Sequence, residues 1–128
     1  MIVLDASVLI GLHSSQDAHH SWCLDFFNQT LDQELVMPAL TYAETLAQPA
    51  RLNRTKQFLR NLAGLELAIE AIDAEDAVGL AEMRATTALR MPDAVVLYTA
   101  VKLQAALATC DDQLARLAKD HGVVVHTP

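Results

Sequence analysis

Ile2-Val3-Leu4-Asp5-Ala6-Ser7 is a short apolar run that breaks on a carboxylate. Three β-branched or aliphatic residues in succession read as a buried strand, and Asp or Ser directly after them is the residue type that opens a helix. Further strand-like runs follow at Glu34 to Met37, Leu65 to Ile72, Leu107 to Cys110 and Val123 to His126, with longer helical patterns between them. Strands alternating with helices predict an α/β sandwich around a largely parallel five-stranded sheet, joined by right-handed crossovers.

The helix expected from Pro92 supports a buried, two-sided architecture. Ala94, Val95, Val96, Leu97, Tyr98, Ala100, Val101 and Leu103 leave it apolar on almost every side, and a helix that is apolar all round is covered all round. Pro92 suits the first turn, where its missing N–H costs nothing, and Asp93 beside it is the only acid in that helix.

The 128 residues fit one domain, expected to span 1–128, with no repeat, low-complexity tract or linker. A hydrophobic content of 52% with only 4 Gly and 4 Pro excludes a disordered chain. Cys23 and Cys110, the only 2 cysteines, stand far apart in no CxxC pattern, so neither a disulfide framework nor a thiolate zinc site is indicated. With no basic stretch before the first strand and no apolar run approaching the ~20 residues needed to cross a bilayer, a cytoplasmic protein without a membrane association is expected.

A net charge of −7 argues against gripping nucleic acid by bulk electrostatics. The charge is uneven, however. Residues 1 to 50 hold no Lys or Arg, whereas Arg51, Arg54, Lys56 and Arg60 fall in a stretch without an acid. Arg51, Arg54 and Lys56 are the candidate phosphate contacts, and a solvated helix face is the plainer alternative.

In parallel α/β sheets, ligands bind beyond the carboxyl ends of the strands. Asp5 ends the first strand and Asp111 follows the fourth, within Thr109-Cys110-Asp111-Asp112, while Asp93 opens the helix leading into that fourth strand. Any one of Asp5, Ser7, Asp111 or Asp112 is equally explained as a helix cap, and Asp93 as a first-turn acid complementing the helix dipole. Glu44 lies in Pro38-Ala39-Leu40-Thr41-Tyr42-Ala43-Glu44-Thr45-Leu46, bordering an apolar stripe read through Leu40, Ala43, Ala47 and Ala50. The histidines form no ligand set: His19 and His20 are adjacent, His13 is expected in a loop, and His121 and His126 lie near the end.

Taken in order, Ile2-Val3-Leu4-Asp5-Ala6-Ser7, Glu44 in a helix after the second strand, Pro92-Asp93-Ala94 and Thr109-Cys110-Asp111 resemble the PIN domain over nearly the whole chain. The resemblance implies a PIN-like three-layer α/β/α sandwich. It implies that Asp5, Glu44, Asp93 and Asp111 are the catalytic acids, with Asp5, Asp93 and Asp111 on the metal and Ser7 and Thr109 as supporting hydroxyls. Because no further domain surrounds that core, the resemblance is to VapC-type toxins. It implies a Mg²⁺- or Mn²⁺-dependent endoribonuclease that cleaves RNA by metal-activated water, restrained by a small antitoxin and frequently homodimeric. Carboxylate chemistry is consistent with this, since clustered acids repel unless a cation joins them and hard oxygens select Mg²⁺ or Mn²⁺. Adjacent Asp111 and Asp112 cannot both aim at one point. Asp111 is therefore expected at the metal and Asp112 as the helix cap.

The alternatives are a PIN nuclease of RNA processing and, in another class, a Mg²⁺-binding receiver domain. A receiver needs a phosphoacceptor Asp after its third strand, for which Asp73 would serve, and a Lys after its fifth. Only Thr127-Pro128 follows Val123 to His126. A haloacid-dehalogenase phosphatase needs an Asp where Ser7 stands.

Overall fold

A computed structural model describes all residues from Met1 to Pro128. Five short strands, β1 (Ile2–Leu4), β2 (Leu35–Pro38), β3 (Ala68–Glu70), β4 (Ala106–Ala108) and β5 (Val125–His126), form one sheet in the order β3-β2-β1-β4-β5. Every neighbouring pair is parallel. Seven helices connect them: α1 (Ala6–His13), α2 (His20–Gln29), α3 (Ala39–Arg51), α4 (Thr55–Leu62), α5 (Ala74–Thr86), α6 (Met91–Leu103) and α7 (Asp112–Asp120).

The pleat of the sheet divides the interior in two. Val3, Val36 and Leu107 point into a core with Leu80 of α5, Val95 and Val96 of α6 and Leu114 of α7. Ile2, Leu4, Leu35 and Met37 point the other way, onto Val8 and Leu9 of α1, Cys23 and Phe26 of α2 and Leu62 of α4. Because successive strand residues face opposite sides, continuous apolar runs are what a sheet covered on both faces requires. The result is the expected three-layer α/β/α sandwich.

The strand order fixes where a site can lie. From β1 the chain steps outward through β2 to β3, then returns to place β4 on the other side of β1. The order therefore reverses between β1 and β4, and the crevice beyond their carboxyl ends is the topological switch point. A receiver domain instead places its third strand beside the first. Here β3 is an edge strand, and Asp73 caps α5 through a reciprocal capping box with Asp76.

Several local expectations are corrected. Of Leu65 to Ile72 only Ala68–Glu70 pairs, because Ala63–Leu65 closes a 3₁₀ turn and Glu66 adopts the left-handed region at φ 48. β4 stops at Ala108, so Thr109 and Cys110 lie beyond the strand. His13 ends α1 rather than lying in a loop, its Nδ1 2.9 Å from the Leu9 carbonyl. The inner face of α3 is not the alanine stripe: Thr41 and Thr45 are buried while Leu40 is 53% exposed. Thr45 donates its hydroxyl to the Thr41 carbonyl one turn back at 3.0 Å, which lets a threonine enter the interior with its polar atom satisfied.

Candidate active site

Asp5 and Thr109 are held by the sheet's own ladder carried one residue past the strands. The Asp5 amide donates to the Ala108 carbonyl at 3.0 Å, and the Thr109 amide to the His126 carbonyl at 3.1 Å. This places the ends of β1 and β4 side by side. Ser7 and Thr109 then both donate their hydroxyls to Asp5 Oδ2, at 2.6 and 2.8 Å. Each hydroxyl accepts in turn from the β4–α7 segment: the Cys110 amide donates to Ser7 Oγ and the Asp111 amide to Thr109 Oγ1, both at 3.0 Å. The Ser7 and Thr109 hydroxyls thus orient Asp5 and fix the loop that carries Asp111.

Asp111, not Asp112, is the cap of α7. Its Oδ1 accepts from the Gln113 amide at 2.8 Å and the Leu114 amide at 3.0 Å, while Asp112 is the exposed first residue of the helix. The physical reason is backbone geometry: Asp111 is still extended, at φ −91 and ψ 114, which is the conformation a cap needs. Capping does not exhaust its carboxylate. Asp5 and Asp111 share one pattern, in which one oxygen (Oδ2 and Oδ1 respectively) takes two protein donors and the other takes none.

Asp93 joins Asp111 in the lining of one cleft, and Glu44 is not part of that lining. Asp93 sits in the first turn of α6 and forms the wall of a cleft of ≈ 300 Å³ with Arg90, Asp111 and Gln113. Burial holds its carboxyl above the usual range, and repulsion from Asp5 and Asp111 pushes it further, opposed by Arg90. Glu44, on the exposed side of α3, is raised by burial first and then by Asp5 and Asp93, again opposed by Arg90. Asp93 thus feels the charges of Asp5 and Asp111, and Glu44 those of Asp5 and Asp93. No group of three or more His, Cys, Asp or Glu side chains converges tightly enough to hold a metal ion as the side chains stand. The donor set nevertheless fits a hard cation by its chemistry: Asp5 and Asp111 each supply a carboxylate oxygen without a protein donor.

Sequence reasoning missed Arg90. Its side chain is 85% exposed, with a guanidinium nitrogen 4.0 Å from Asp93 Oδ2, and it is the cation that eases the charge on both Asp93 and Glu44. The available signal was a basic residue three positions before an acid, since i and i+3 share a helix face. Arg51, Arg54 and Lys56 lie elsewhere. Arg51 ends α3 and hydrogen-bonds Gln48 at 3.0 Å, while Arg54, Lys56 and Arg60 line a separate hollow at the α3–α4 corner. Glu44, Gln48 and Arg51 follow one another at i, i+4 and i+7 along α3, so Arg51 lies on the same side of that helix as the acid. The two cysteines, remote in sequence, meet: Cys23 of α2 and Cys110 after β4 have sulfurs 3.9 Å apart.

A profile of the PIN domain matches residues 2–120, and the chain belongs to that family. No curated protein sequence matches it. Among solved structures, FitAcB from Neisseria gonorrhoeae is 20% identical with a TM-score of 0.75, covering 98% of this chain and 96% of that one. VapBC2 from Rickettsia felis, bound to a DNA fragment from its promoter, is 13% identical with a TM-score of 0.76, covering 99% and 98%. The Mycobacterium tuberculosis toxin VapC20, which cleaves the sarcin–ricin loop, is 14% identical with a TM-score of 0.72, covering 91% and 95%. At such identities the likeness is one of fold.

Proposed function

We propose that this PIN domain is a metal-dependent endoribonuclease acting as the toxin of a VapBC-type toxin–antitoxin pair. The observation that carries the chemistry is the half-used carboxylate pattern: Asp5 and Asp111 each commit one oxygen to the protein and leave the other free, beside Asp93 and Glu44 at the switch point. Asp5, Asp93 and Asp111 would hold Mg²⁺ or Mn²⁺, with Glu44 at the rim. A divalent ion in such a site supplies an activated water and neutralises charge on the leaving oxygen. The residues of the chain do the rest. Ser7 and Thr109 keep Asp5 aimed by donating to it, and Arg90 would meet substrate phosphate once a cation satisfies Asp93. Arg51 at the end of α3 and Arg54 and Lys56 at the start of α4 would extend the RNA contact.

Support for the toxin role is the run of solved relatives that are toxin–antitoxin complexes, matched over almost their full length. In this reading a small antitoxin covers the acidic cleft, with an Arg or Lys that a carboxylate set attracts as readily as an ion. The working unit is a homodimer in the cytoplasm, on the strength of the family resemblance. No helix is long and apolar enough to cross a membrane. The test is RNA cleavage by purified protein with Mg²⁺, with Mn²⁺ and with EDTA, beside growth after induction of wild type and Asp5→Asn. Metal-dependent cleavage with growth arrest is expected. Cleavage without arrest would assign the protein to RNA processing, and no cleavage with either ion would overturn the nuclease reading.

A further inference from the structure

We propose that Cys23 and Cys110 form an intramolecular dithiol site that oxidation closes to a disulfide, and that closure slows the nuclease. The coupling to cleavage rests on the function proposed above; the dithiol itself does not. The two sulfurs are 3.9 Å apart although the residues are 87 positions apart in sequence. They are the only cysteines in the chain, so within one molecule each has only the other as a partner. Cys110 is partly open to solvent and Cys23 is fully buried.

A disulfide requires the sulfurs to close to about 2.05 Å, so one side must move. Cys23 stands inside α2 with Gly11 of α1 directly behind it: a Cβ at Gly11 would lie 2.6 Å from the Cys23 sulfur. Cys110 is in the irregular segment between β4 and α7, flanked by Thr109 and Asp111, with its amide bonded to Ser7. Movement therefore falls on the segment that orients Asp5 and carries Asp111, and a displacement of about 1 Å in a reacting geometry can cost about 10²-fold in rate.

A peroxide supplies the oxidising equivalents. The partly exposed Cys110 sulfur attacks one peroxide oxygen; the O–O bond breaks, the S–H proton passes to the departing hydroxide to give water, and a sulfenic acid remains. The Cys23 sulfur then attacks the sulfenic sulfur, the S–O bond breaks and a second water departs, so that two thiols and one hydrogen peroxide give one disulfide and two waters. Thiols of a reducing compartment reverse the bond by exchange.

The experiment treats purified protein with hydrogen peroxide, alkylates it with N-ethylmaleimide in denaturant, and reads mass and disulfide-linked peptides beside cleavage of a fluorescent RNA. Reduced wild type should take up two labels and oxidised monomer none, with a linked peptide joining the two cysteines. Cleavage should fall about tenfold or more and return with dithiothreitol, within the range that small misplacements produce. Cys23→Ala should keep basal cleavage and show no reversible loss, and Cys110→Ser should give no intramolecular linked peptide. Two labels retained after peroxide, or only intermolecular linkage, would overturn the dithiol site; a mapped bond that leaves cleavage unchanged would overturn its coupling. If reduced wild type cuts no RNA, the nuclease reading fails instead, and label uptake still decides the dithiol.

Discussion

Asp111 does two things with one carboxylate, and substitutions separate them. Asn caps a helix about as well as Asp, whereas Ala does not. Asp111→Asn should therefore lose cleavage while melting close to wild type, and Asp111→Ala should lose cleavage and about 1 kcal/mol of stability as well. Asp112→Asn, with no cap to lose, should retain both. Paired cleavage and melting curves check this, and an inactive Asp112→Asn beside an active Asp111→Asn would show that the wrong acid has been assigned. Asp93 gives a complementary case, because it is held above the usual carboxylate range by burial and by Asp5 and Asp111. Removing its charge relieves repulsion, so Asp93→Asn should be inactive without melting lower than metal-free wild type. Added Mg²⁺ or Mn²⁺ should stabilise wild type by about 2.7 kcal/mol at ~100 times the dissociation constant. It should stabilise Asp93→Asn much less at the same concentration.

Between elements, the α5–α6 contact depends on a missing side chain. Gly79 of α5 lies under Tyr98 of α6, and a Cβ there would run into the ring. Helix propensity alone favours alanine over glycine by about 1 kcal/mol, yet overpacking costs about 1–3 kcal/mol, and it would also disturb the 2.9 Å bond from Tyr98 to Asp76. Gly79→Ala should accordingly lower the melting temperature, whereas Gly64→Ala, with open space around it, should not show that clash. At the α3–α4 corner, replacing Arg51, Arg54 and Lys56 with Gln should weaken RNA binding and flatten its salt dependence by up to ~0.7 in slope per lost contact. An unchanged slope in a filter-binding titration would leave these residues as a solvated face.

For the whole molecule, acid sensitivity should centre on the buried junction of β3, α5 and α6. The Asp73 amide, Lys102 and Tyr98 all donate to Asp76, whose carboxyl is held down to about 2. Its unfolded value is about 3.9. Since the folded value is the lower one, the group's contribution is fully present above the unfolded value and is lost as pH falls through the folded one. Wild-type stability should thus decline between about pH 4 and pH 2, and the Asp76→Asn curve should be flatter across that window. Identical slopes in denaturant titrations would remove Asp76 from the account of acid unfolding.

What the sequence determined by itself is the local and periodic part of the structure. Continuous apolar runs such as Ile2-Val3-Leu4 required a sheet covered on both faces, the all-round apolar helix after Pro92 required burial, and Asp5 marked the end of β1. These follow from residue type and spacing, which act over a few positions. The tertiary structure decided what depends on neighbours distant in sequence: β3 at the edge of the sheet, Thr41 and Thr45 on the inner face of α3, and Asp111 rather than Asp112 as the cap. Arg90 beside the acids and the sulfur of Cys23 beside that of Cys110 belong to the same class. None of these is visible to a pattern, because backbone dihedrals at a loop end and the meeting of segments 87 residues apart are set only when the two cores close over the sheet.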